Sequence, residues 1–66
     1  MRGKTLETLL SELPPTKESI EIIRETVKEI EKDIDTSTNP ERIRIRKLNI
    51  LSCEKRIKEI ENKLNQ

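Results

Sequence analysis

The stretch "NPERIRIRKLNILSCEKRIKEIENKLNQ", Asn39 to Gln66, decides how this chain folds. Near its start "RIRIR", Arg42 to Arg46, alternates charged and aliphatic residues as a half-buried strand does. That alternation is short, and it runs into an unbroken pattern with a period near 3.5. Asn39 supplies a capping side chain, Pro40 suits the first helical position, and Glu41 complements the positive end of the helix dipole. The spacing therefore predicts a single helix over residues 40–64. Ile43, Ile50, Ile57 and Leu64 recur every seventh residue, and Cys53 and Ile60 join their stripe. Beside it runs a second seven-spaced row, Arg42, Asn49, Arg56 and Lys63, which holds no acid. The row is either a solvated edge flanking a helical seam or a surface that reads a partner. Arg44, Lys47, Lys55 and Lys58 project onto other faces, with Glu54, Glu59 and Glu61 among them.

Upstream, Ile20, Ile23, Val27, Ile30 and Ile34 alternate spacings of three and four, which predicts a helix over 16–35 that Thr16 can cap. Leu6, Leu9, Leu10 and Leu13 predict a short helix over 5–12, ended by Pro14-Pro15. "DTSTNPE" breaks the two long helices, because its side chains compete for backbone hydrogen bonds. A short connector makes those helices antiparallel neighbours. Ile45 and Leu48 fall off the main stripe, so the last helix is apolar on two sides where a hairpin covers one. The second side calls for the Leu6–Leu13 segment or another subunit. The expected architecture is all-α. It is one domain over residues 1–66, an antiparallel helical hairpin with a short N-terminal helical segment, dimerising into a four-helix bundle.

Composition narrows the function. The chain has 66 residues, one cysteine, no histidine, no aromatic residue and one glycine. A chain of this size is marginal without a staple, and a disulfide or zinc site lacks the residues, so oligomerisation is the staple left. A nucleophile lacks its usual histidine base, and a glycine-rich phosphate loop cannot be built from Gly3 alone. No catalytic residue, metal, cofactor or small-molecule substrate is expected. No apolar run approaches the ~18 residues of a membrane span, and "MRGKTLETLLSEL" does not read as a signal peptide. The near-neutral total hides a split. Residues 1–38 hold six basic and nine acidic residues, a net of −3, whereas residues 39–66 hold eight and four, a net of +4. A basic half points to an anionic partner.

The pattern resembles the small RNA-silencing suppressors of nodaviruses, all-helical dimers that bind double-stranded RNA. The resemblance runs from about Leu6 to Leu64. It lies in "LLSELPPTKESI", Leu9 to Ile20, in the break ending at Asn39, and in the last helix. There Asn49, Cys53 and Lys58 match the family's residue types, and Arg56 and Lys63 stand as Lys/Arg exchanges. The tandem Pro14-Pro15 departs from the family's pattern. The resemblance implies a dimer lying along one face of an A-form duplex. Arg42, Asn49, Arg56, Lys58 and Lys63 would contact phosphates and 2′-hydroxyls, and Arg46 and Cys53 would be further contacts. Such binding needs neither aromatics nor base readout, because an A-form major groove is too deep and narrow to read. Coating the duplex would suppress RNA silencing in the cytoplasm of a host cell. On the residues alone, Cys53 also fits a core position, Asn49 an ordinary surface amide, and Arg46 a side chain reaching out from the seam. The alternative function is a helical oligomerisation or adaptor module that binds a protein partner.

Overall fold

The computed structural model describes residues 5–66 and holds three helices. They are α1 (Leu6–Glu12), α2 (Lys17–Thr36) and α3 (Pro40–Leu64). Met1–Lys4 of the expected 1–66 domain lie outside the described residues. Each helix starts on a side-chain cap. Thr5 accepts from the Thr8 amide, Thr16 from the Ser19 amide, and Asn39 from the amides of Glu41 and Arg42. Thr36 extends α2 to its last turn by donating its hydroxyl to the Lys32 carbonyl at 3.1 Å. "RIRIR" is helical throughout.

The α2 and α3 helices pack as a hairpin across a three-residue connector, Ser37 to Asn39. Its core is aliphatic. Ile20, Ile23 and Ile30 of α2 meet Cys53 and Ile60 of α3, with Leu10 of α1 closing the cluster. Val27, Ile34, Ile50 and Ile57 are half-buried at its edges. Fully burying an isoleucine, as at Ile23 and Ile60, stabilises by about 1.5–3 kcal/mol. Ser19 is buried among them at no cost in lost bonds, since its hydroxyl accepts from Thr16 at 3.1 Å.

The short α1 packs mainly on α3. At seven residues it is below the length that holds a helix in isolation, so its order comes from docking. Leu10 is its only buried residue. The segment was one of two covers expected for Ile45 and Leu48, and it does not reach them. They remain 54% and 55% exposed, as do Ile22 at 53% and Leu51 at 60%.

Candidate nucleic-acid interface

Two polar ties fix the sides of the hairpin. Asp33, near the end of α2, accepts from Arg42 Nε at 2.9 Å and Arg42 Nη2 at 3.1 Å, a two-pronged contact. Arg46 Nε shares the same carboxylate at 2.9 Å. The hydrogen bond from Arg42, with its charge and the second bond from Arg46, holds the Asp33 carboxyl below its ordinary value against the opposing effect of burial. The same contact raises Arg42. On the opposite side Arg24 and Glu61 face each other at 3.9 Å, both largely exposed, a geometry that contributes little.

The acid-free row lies on the Asp33 side, which is also the side where α1 docks. Arg56 Nε donates to the Leu10 carbonyl at 3.0 Å and Arg56 Nη2 to the Leu13 carbonyl at 2.9 Å. Its third nitrogen faces Glu59 at 3.4 Å. The guanidinium thus closes the carbonyl end of α1, which has no basic residue of its own in its last turn. Projection of the sequence puts Arg56 outside the apolar seam and free of packing duties. In the fold its side chain is only 18% exposed, because α1 covers it.

The structure therefore divides the expected contacts. Arg42 and Arg46 are drawn to Asp33, Arg56 is committed to α1, and Asn49 is half-buried on the same side. Cys53 is fully buried in the core, where burial first, and the Glu54 charge second, push its thiol up. Cys53 thus takes the core position that its place on the aliphatic stripe also fitted. Lys58 and Lys63 are exposed.

A second cationic surface emerges on the solvent side of α3. Arg44, Lys47, Leu51, Lys55, Lys58 and Asn62 recur at spacings of three and four. At ~100° per residue they occupy an arc of about 80°, diametrically away from the seam. All six are exposed, and no acid falls within the arc. Lys47, Lys55 and Lys58 have no ion pair among the described residues, and Arg44 has only a loose one to Glu41 at 3.9 Å. The signal that would have found this stripe is the same 3.6 period applied to bases instead of aliphatics. From Arg44 to Lys58 it runs about 21 Å along one rigid helix.

Among the described residues there is no cluster of three or more metal-binding side chains, and no helix long and apolar enough to cross a membrane. One surface hollow is lined by Arg24, Glu54, Lys55, Ile57, Lys58 and Glu61, and another by Pro40, Ile43, Arg44, Lys47 and Leu48. Compared with family models, curated proteins and solved structures, the chain matches none.

Proposed function

We propose that this chain binds double-stranded RNA without regard to base sequence, as a homodimer, through the solvent side of α3. The observation that carries the reading is the acid-free stripe of Arg44, Lys47, Lys55 and Lys58 on one straight helix. Four cations on a rod suit a regular polyanion, and the chain has no aromatic side chain on which single-stranded bases could stack. In a dimer the stripe occurs twice, giving eight cations from four per chain. Lys63, in the row of Arg42 and Arg56, is exposed at the C-terminal end of α3 but lies outside this stripe. Arg42, Arg46 and Arg56 serve the fold first. Coating a duplex in this way would shield it from the nucleases that make or load small RNAs, which is suppression of silencing.

The test is a titration with double-stranded RNA, duplex DNA and single-stranded RNA at two salt concentrations. Duplex RNA should bind best, with affinity falling by about a thousandfold or more between 50 and 200 mM salt if six to ten phosphates are neutralised. The double variant Lys55→Glu, Lys58→Glu should lose at least about a hundredfold, near 2.7 kcal/mol, with helicity unchanged. Unchanged binding by that variant would refute the stripe as the interface.

A second reading has an observation of its own. Ile22, Ile45, Leu48 and Leu51 are all more than half exposed. An adaptor module would use such residues to hold a helix of another protein. Failure of the parent chain to bind any duplex at low salt would put that reading first.

A further inference from the structure

The solvent side of α3 carries more than charge. Leu48 and Leu51 stand among its cations, 55% and 60% exposed. Around the helix Leu51 projects within about 40° of each of Arg44, Lys47, Lys55 and Lys58, and Leu48 within about 40° of Arg44 and about 20° of Lys55. Along the helix the order is a cationic pair, a leucine pair and a second cationic pair, each with a spacing of three. Arg44, Lys47 and Leu48 also line one hollow together. Phosphates of a duplex would engage the cations, but they offer the leucines no apolar surface to bury.

The rest of the molecule is arranged to keep like charge away from this face. From Lys17 to Thr36, α2 holds seven acids against four bases, and Glu18, Glu21, Glu25 and Glu29 are exposed on its outer side. Two helices of ~10 Å diameter set that acidic edge ~20 Å from the basic one, more than twice the ~8 Å over which physiological salt screens a charge. The basic edge is the outside of a single helix, so it is convex. A convex face with interleaved cations and leucines has no groove for a partner helix. It suits a yielding surface that is anionic on top and apolar just beneath.

We infer that the solvent side of α3 is also a membrane-surface contact. It lays Leu48 and Leu51 into the headgroup boundary of a bilayer containing anionic lipid, while Arg44, Lys47, Lys55 and Lys58 meet its phosphates and carboxylates. The long stems of lysine and arginine keep their charges at headgroup level beside the leucines. The helix lies in the interface and does not cross it. Duplex and bilayer compete for the shared cations, whereas the leucines serve the bilayer alone. The inference does not require that the chain bind RNA.

Two measurements on the full chain test it. In the first, the protein is sedimented with vesicles of phosphatidylcholine, pure or with about one third phosphatidylserine. The anionic vesicles should bind at least about tenfold more tightly. The double variant Leu48→Ser, Leu51→Ser should lose at least about tenfold of that binding, keep its helicity, and hold its duplex RNA affinity within about twofold. In the second, tryptophan reports depth, since the chain has none of its own. Emission from Leu51→Trp should shift to the blue on anionic vesicles and be quenched by brominated acyl chains. Glu25→Trp, on the acidic edge, should show neither change. Equal binding to the two vesicles, a serine variant that binds them as the parent does, or an unquenched Leu51→Trp overturns the membrane contact. A parent chain that ignores anionic vesicles overturns it too, and leaves the leucines to a protein partner. RNA binding is judged separately by the Lys55→Glu, Lys58→Glu protein in the duplex titration.

Discussion

Arg56 ties the last helix to the first by hydrogen bonds. Its bonds reach back 46 residues to Leu10 and 43 to Leu13. Both acceptors are backbone carbonyls, which every residue carries, so no pattern of side chains announces them. That is why projection alone reads Arg56 as a surface cation like Lys63. A charge-reversal at Arg56 is accordingly a poor probe of ligand binding, since it removes the tie to α1 as well. The Arg56→Ala protein should lose about 1.5–3 kcal/mol, the range for hydrogen bonds to a charged donor. The loss should appear as a lower urea midpoint and faster amide exchange within Leu6–Leu13, with α2 and α3 still helical. An unchanged exchange rate in α1 would show that Leu10 alone suffices to dock it.

The long helices were legible almost to the residue. Helices expected over 16–35 and 40–64 are found at Lys17–Thr36 and Pro40–Leu64, and the short one expected over 5–12 at Leu6–Glu12. Caps, prolines and periodicity are local signals, and Thr16, Asn39 and Pro40 sit where their chemistry requires. What lay beyond local signals was the pairing between elements. Asp33 of α2 gathers Arg42 and Arg46 of α3 and so staples the connector end of the hairpin. This tie has a defined acid dependence. The Asp33 carboxyl titrates lower in the folded chain than in the unfolded one. Its contribution is therefore complete above the ordinary aspartate value, about 3.9, and is lost as pH falls through the lowered folded value. Between pH 7 and pH 3 the parent should lose more stability to urea than Asp33→Asn does. Equal losses would mean that the carboxylate is not held by the two arginines.

At the scale of the molecule, two thin layers of aliphatic side chains hold a chain that is 41% charged. Among the described residues Ile23, Cys53 and Ile60 are the fully buried apolar ones, and a core so small leaves a modest margin of stability. Association would raise that margin by mass action. The melting temperature of a dimer should rise with protein concentration across, for instance, 5 to 500 micromolar. A midpoint independent of concentration would signal a self-sufficient monomer. The hairpin was visible in the sequence because its seam repeats every seven residues. The partial cover that α1 gives α3 was not, because it depends on where a seven-residue helix lands along a twenty-five-residue one.

That landing place also sets an order of events. Leu6–Glu12 is synthesised some forty residues before Arg56 and Cys53. Until α3 is made, α1 has no seat and is too short to persist as a helix by itself. The α2–α3 hairpin can close over its three-residue connector with contacts that are mostly nearer in sequence, and such contacts form faster. Of the three helices, the one synthesised earliest is therefore the last to settle, and until it does, its leucines are open to any neighbouring nascent chain.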